Sequence, residues 1–350
     1  MIFIGDIAVT KDVNPQIIDL PEAFKNNIVI ANLEGAIALD KSVSTKETIL
    51  FNDQSVVDFL ENINVKVVSL GNNHITDVPD ALQNTKEILD KKKIARCGAG
   101  INLKEASQPA IINVENDQYA FLSFGWNAIN CRYAERKKEG CNPLSTEWVL
   151  QCIDNTKDHY PNAKIIILPH WNYELELYPQ PMHRELAKLM IDAGAEGVFA
   201  HHPHCVNGIE YYKNAPIVYS LGNWFIPDGV YFDNRLKFPN LTKLQLAVEW
   251  NGKELTCHWF EYKPEKQEVQ FIESVPAKEC NRIKKLTPYS GMDNDAYIKW
   301  FKKNRRKKKG LPVFKYTNNN FRNAINTKLV LSRQWAIKLL LKLRIKSAPK

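Results

Sequence analysis

Little in this 350-residue chain suggests a covalent framework or a membrane span. Its seven cysteines (Cys97, Cys131, Cys141, Cys152, Cys205, Cys257 and Cys280) include no C-x-x-C pair, and the count is odd. That pattern fits reduced thiols better than a disulfide framework. Cys205 directly follows a histidine cluster, yet it reads as a small apolar filler rather than a ligand. No apolar run reaches about 18 residues, so no conventional transmembrane helix is expected. The opening MIFIGDIAVT has no basic n-region and no cleavage site, which argues against a signal peptide. No internal repeat is visible. Residues 301–350 contain no Asp or Glu but sixteen Lys or Arg; with a net charge of +8 overall, residues 1–300 carry a net −8. An acidic body with a basic end suggests an anionic partner surface.

What is present is the patterning of a globular α/β protein. Hydrophobic residues make up 44% and mean hydropathy is −0.36, enough for a sizeable core and no sign of global disorder. IFIGD, IVIANLEG, VKVVSLGNNH, KIIILPHWNYE, GVFAHHPH and PIVYSLGNWF each read as an apolar strand ending in polar residues. PDALQNTKEILDKKK reads as a helix with Leu82, Thr85 and Leu89 on one side. A second stripe, Met182, Leu186, Leu189, Met190 and Ala193, stops at Gly194. AIINVENDQYAFLSF reads as a hairpin turning at Asn116-Asp117, and residues 230–275 as closing strands. From about 276 the texture changes to a charge run (KKNRRKKKG), an Asn-rich stretch and a mixed apolar and basic tail. We therefore expect a domain over 1–275 and a basic, partly helical extension over 276–350.

In open α/β sheets, sites lie at the carboxyl ends of the strands. The strand-end groups here are Asp6, Asn32, Glu34, Asn73, His74, His170, Glu174, His201, His202, His204 and Asn223. Any one alone has an ordinary explanation, a turn former or a satisfied core side chain, as we assume for His159, His183 and His258. Their joint recurrence points to one shared polar site. A mixed oxygen and nitrogen set suits divalent Mn, Fe or Zn. On an extended backbone the rings of His202 and His204 point the same way, able to reach one metal or one each of two. Glu34 or Asp6 could bridge two cations, and such a pair activates water for displacement at phosphorus.

The order GD, NLEG, GNNH, HW-x-x-E, HHPH, SLGN, over roughly residues 2–265, resembles the CapA family of bacterial capsule and poly-γ-glutamate synthesis proteins, similar in fold to calcineurin-like metallophosphoesterases. The resemblance implies a four-layer α/β/β/α sandwich of the metallophosphoesterase type, with a basic helical C-terminal extension outside the resemblance. It implies metal ligands at Asp6, Glu34, Asn73, His170, His202 and His204, with Glu34 bridging. It makes His74 the general acid or phosphate-contacting imidazole, gives Glu174 a catalytic role, and places Asn32, His201 and Asn223 in supporting positions. Three departures stand out. Metallophosphoesterases read D-x-H at the first strand where this chain has Asp6-Ile7-Ala8; Asn32-Leu33-Glu34-Gly35 replaces their GD-x-x-D; and Asn172 stands where the family commonly has Gly. One ion or two is left open by these changes.

Two functions follow as expectations. One is a metal-dependent hydrolase of a phosphoester or phosphoanhydride in capsule or exopolymer synthesis, with a polymer amide bond as another substrate. The other is a non-catalytic assembly factor of a polymer synthase complex. Partners are expected to be an anionic polymer or a phosphorylated substrate, and an anionic membrane surface through the basic end; nucleic acid is not expected. Lys328, Lys338, Lys342 and Lys346 share a helical side with Trp335, while Arg333 and Arg344 lie opposite. The same segment could instead dock on the acidic body. Lacking a leader and an anchor, the chain reads as cytoplasmic, peripheral on the inner face of the membrane.

Overall fold

Parallel strands buried on both faces need apolar side chains in both directions, and the runs in this chain supply them. In the computed structural model, residues 1–342 are described apart from 12, 40–42, 46–48, 307–309 and 318–320, with side chains described to 337. The strands are, in chain order, β1 (Ile2–Ile7), β2 (Gln16–Ile18), β3 (Val29–Leu33), β4 (Val65–Ser69), β5 (Ala95–Cys97), β6 (Ala99–Gly100) and β7 (Ala110–Val114). They continue as β8 (Asp117–Gly125), β9 (Gly140–Cys141), β10 (Lys164–His170), β11 (Ala195–Phe199), β12 (Ile209–Tyr212) and β13 (Ala215–Val218). The last four are β14 (Asn223–Phe225), β15 (Leu244–Trp250), β16 (Leu255–Lys263) and β17 (Glu268–Pro276).

Two sheets result. The first runs β2-β17-β16-β15-β1-β3-β4-β5, with β14 also pairing β1; the second runs β12-β13-β11-β10-β8-β7. β1, β3, β4 and β5 are mutually parallel, and so are β8, β10, β11 and β13. Alternation along the strands divides the core. Phe3, Ile30 and Val67 join Phe121, Ile166, Leu168, Phe199 and Val218 in one cluster, where the Phe3 and Phe199 rings stack at 3.6 Å and hold the sheets face to face. Ile2, Ile4, Val29, Ile165, Ile167 and Val198 belong to the larger cluster with helices Val56–Asn62, Ala81–Lys91, Thr146–His159 and Pro181–Asp192. This is the α/β architecture expected from the sequence.

Some local expectations shift. The hairpin turns one residue earlier than read, at Glu115-Asn116: Val114 pairs with Asp117, and Glu115 takes φ 54°. The segment HHPH is not extended. β11 ends at Phe199, and His202 and His204 both have positive φ, 98° and 57°.

Beyond 276, helices Asn281–Leu286 and Asn294–Asn304 follow, and Tyr289, Tyr297, Phe301 and Phe314 are buried in the larger core cluster. The Tyr297 hydroxyl donates to the Pro179 carbonyl at 2.6 Å, and the Phe314 amide donates to Gln180 Oε1 at 3.1 Å. The final helix, Phe321–Lys342, rests on the body through Val330, and Gln334 donates to the Ala128 carbonyl at 3.4 Å. Of the basic end, residues 307–309, Arg344, Lys346 and the side chains of Lys338 and Lys342 lie outside the described residues. Among the described residues no helix is long and apolar enough to cross a membrane.

Candidate metal centre

The site straddles the two sheets. Asp6 ends β1 beside Asn32 of β3, and on its other side Asp6 is in register with Asn223 of β14. Glu34 follows β3, the GNNH turn follows β4, and His170 ends β10 with His201 bridged beside it. The close packing depends on missing side chains: a Cβ on Gly5 would sit 2.0 Å from the Gly222 carbonyl oxygen, so only glycine lets the 220–223 turn approach β1.

Two asparagines organise the carboxylates. Asn32 Nδ2 donates to Asp6 Oδ1 at 2.8 Å and to Glu34 Oε2 at 2.5 Å. Asn72, absent from the sequence-derived set, donates to the Leu33 carbonyl at 2.7 Å and accepts from the amides of Gly35 and His74. It ties the end of β3 to the turn after β4. The remaining faces of the carboxylates stay open. Asp6 Oδ2, Glu34 Oε1 and His170 Nδ1 are buried and form no hydrogen bond among the described residues.

The imidazoles surround those open atoms. His170 Nε2 lies 3.6 Å from Glu34 Oε1 and hydrogen-bonds Asn73 Oδ1 at 2.9 Å. The His202 ring sits 4.8 Å from that of His170 and 5.5 Å from that of His204. His204 Nδ1–H donates to Asn223 Oδ1 at 2.8 Å and lies 3.2 Å from Asp6 Oδ2. His201 Nε2 bonds the Ile4 carbonyl at 3.2 Å and so pins the turn under β1. His74 is one-fifth exposed; its Nδ1 bonds Asp77 Oδ2 at 2.6 Å and its Nε2 lies 4.0 Å from Glu34 Oε1. The structure thus brings together Asp6, Asn32, Glu34, Asn73, His74, His170, His201, His202, His204 and Asn223. Glu174 alone stands outside, exposed on the loop after His170, where its charge still reaches His204.

Protonation follows the crowding. Burial and the neighbouring Asp6 charge raise Glu34 to about 7. Burial and the adjacent imidazoles hold His170 well below its ordinary value. Burial pulls His204 down, but Asp6, with Glu34 and Glu174 behind it, outweighs that and lifts it to about 9. His74 balances burial against Asp77 and Glu34, with a net upward shift. Two buried carboxylates this close want a cation between them. Donor atoms of Asp6, Glu34 and His170 lie within 4.8 Å of one another, and Asp6 Oδ2, Glu34 Oε1 and His170 Nδ1 make no hydrogen bond among the described residues. This set of two carboxylates and an imidazole fits a divalent ion.

Two departures from the family pattern find physical readings. Asn172 has φ 72°, a left-handed conformation that Gly adopts freely and Asn tolerates, and its amide caps the turn by donating to the Tyr178 carbonyl at 3.0 Å. Ala8, where a ligand imidazole would stand, is fully buried and offers no donor. The sequence also gave little warning of Asp77, three residues past His74, or of Phe238, whose ring lies 5.1 Å from that of His204. An acid three positions after a candidate histidine was the one available signal.

The family profile described as "Bacterial capsule synthesis protein PGA_cap" matches residues 3–228. The chain is similar to the capsule biosynthesis protein CapA of Bacillus anthracis, 29% identical over 211 residues, which are 59% of this chain and 50% of that protein. It is also similar to the PGA biosynthesis protein CapA of Bacillus subtilis (strain 168), 29% identical over 284 residues, 79% of this chain and 70% of that one. The chain therefore spans about half the length of the first of these relatives. Among solved structures, the NAD nucleotidase of Haemophilus influenzae aligns at 12% identity with a TM-score of 0.39, covering 81% of this chain and 52% of that one.

Proposed function

From the premise that the chain belongs to the bacterial capsule synthesis protein PGA_cap family, we propose that it is a metal-dependent hydrolase in capsule or poly-γ-glutamate synthesis, acting on a phosphoester or phosphoanhydride. The observation that supports this most directly is the convergence of Asp6, Glu34 and His170 with open, buried ligand atoms. Asp6, Glu34 and His170 would hold the ion, with Asn73, His202 and His204 completing its surroundings. When bound, a divalent ion of the Mn, Fe or Zn kind supplies Lewis acidity and brings the pKa of water at the site toward neutrality.

The chain's own groups do the rest. Asn32 fixes both carboxylates in one orientation. Asp77 holds His74 by Nδ1 and keeps it protonated, so that Nε2–H faces the site and can donate a proton to a leaving oxygen. Phe238 covers His204 and limits water there. Glu174, on the exposed loop, acts at the rim rather than at the reacting atoms. An anionic polymer or its phosphorylated precursor is the partner this family context favours.

One observation favours a second reading. Ala8 removes an imidazole from the first strand end, which suits a binding site in a non-catalytic assembly factor. The experiment is elemental analysis of untagged protein beside Glu34→Gln and His170→Ala, followed by hydrolysis assays on bis(p-nitrophenyl) phosphate and a γ-glutamyl peptide. Bound metal in the wild type, lost in both variants, together with phosphodiester cleavage supports the hydrolase. Cleavage of the peptide alone moves the substrate to an amide. Metal without turnover favours the assembly factor, and no metal after reconstitution overturns the site.

A further inference from the structure

The last helix buries one face and leaves another exposed. Val330 is 1% exposed against the body, whereas Ile325, Leu329 and Trp335 are 44%, 59% and 67% exposed. At 3.6 residues per turn these three fall within about 120° of the helical wheel, and Val330 points away from them. With Phe321, the helix carries four of the eight large apolar side chains that stand exposed among the described residues; the others, Leu39, Ile101, Tyr211 and Ile272, come from four separate places in the chain. Isolated exposed apolar residues are ordinary, but a set on one helical face is not.

The charge around that face is of one sign. Lys328 lies between Trp335 and Ile325 on the wheel, Arg322 and Arg333 lie together just beyond Leu329, and no Asp or Glu occurs from 301 to 350. The body behind the helix carries the opposite net charge. A soluble acidic protein would meet the cations but has no need of the indole and aliphatic groups between them. A bilayer with anionic headgroups meets both: Trp335, Ile325 and Leu329 enter the interface, and Lys328 extends its chain to the headgroups. We propose that the outward face of Phe321–Lys342, built on Ile325, Leu329 and Trp335, with Lys328 within it and Arg322 and Arg333 along its Leu329 edge, is a docking surface for an anionic lipid bilayer. The helix lies in the plane of the membrane with its Val330 side still seated on the body. The inference is independent of the hydrolase reading, since no residue of the metal centre takes part.

The test is co-sedimentation of the full chain with vesicles of phosphatidylcholine, with or without phosphatidylglycerol. Wild type is compared with Ile325→Ser/Leu329→Ser/Trp335→Ser, whose thermal melting confirms that the body is intact. The expected result is binding to the anionic vesicles only, weakened roughly ten-fold or more in the triple variant, because the lost contacts are apolar. Equal binding by the variant would mean that charge alone acts, and would overturn the assignment of the face. Equal binding to neutral vesicles would overturn the charge complementarity. No vesicle binding, with wild type self-associating and the variant monomeric, would make the face a contact between copies of the chain and would equally overturn the proposal.

Discussion

At the scale of single residues, Asn32 offers the sharpest probe of the site. It holds Asp6 and Glu34 through one amide nitrogen, so Asn32→Ala leaves both carboxylates without their common donor. Outer groups of this kind typically contribute 10–100-fold to metal affinity, and a loss of roughly that size is expected in a manganese titration. Proton linkage supplies a second prediction. His204 keeps its proton in the folded state to about pH 9 against an ordinary 6.5, and His74 is shifted the same way. Such groups stabilise fully below pH 6.5, and their contribution is lost as pH rises through the folded value. Glu34, raised from 4.5 to about 7, lowers stability in the same direction, but between those two values rather than above them. Urea midpoints of metal-free protein are therefore expected to fall from pH 7 to 9, and His204→Asn should flatten that slope; a rising midpoint would contradict the arrangement. A third prediction concerns Asp77→Asn. Without that carboxylate the His74 pKa drops, so the alkaline limb of the hydrolysis profile should move to lower pH with metal content unchanged.

At the scale of elements, the site depends on how closely β1 meets the turn before β14. Gly5→Ala would drive a methyl group into the Gly222 carbonyl, a backbone atom that cannot swing aside. A loss of roughly 1–3 kcal/mol is expected by chemical denaturation, with metal affinity falling as Asp6 shifts. The strands that deliver the site were legible in the sequence because each is an apolar run closed by a polar residue, and parallel strands buried on both faces must look that way. The gathering of Asp6, Glu34 and His170 at strand ends was legible for the same reason. Asn72 and Asp77 were not, since their roles lie in bonds to Leu33, Gly35 and His74 that tertiary placement alone creates. The extended reading of HHPH failed because the strand ends at Phe199 and His202 and His204 both take positive φ; Pro203 between the rings was the local hint. β2, three residues long, pairs with β17 from more than two hundred positions away and had no periodic signal at all.

At the scale of the whole molecule, the chain after 276 contributes to the same core as the strands before it. Tyr289, Tyr297, Phe301 and Phe314 are fully buried, yet in the sequence they are single aromatics scattered through charged stretches, with no stripe to betray them. A chain cut after residue 275 would expose Trp126 and Tyr173, on which Phe314 packs. It is expected to melt without the cooperative transition expected of the full chain, or to precipitate.

The placement of the candidate ligands also bears on how the molecule assembles. Asp6 lies on β1 and Glu34 just after β3 of one sheet, His170 ends β10 and His202 follows β11 of the other, and Phe3 against Phe199 marks the seam between them. Neither half on its own presents the full donor set. During refolding an ion can be captured tightly only after the sheets have docked, a step that closes loops of well over one hundred residues and is slow for that reason. Stopped-flow refolding with a metal-sensitive dye should then show ion uptake lagging behind the recovery of helical and strand signal. The centre is in effect a clock that starts only when the two halves have met.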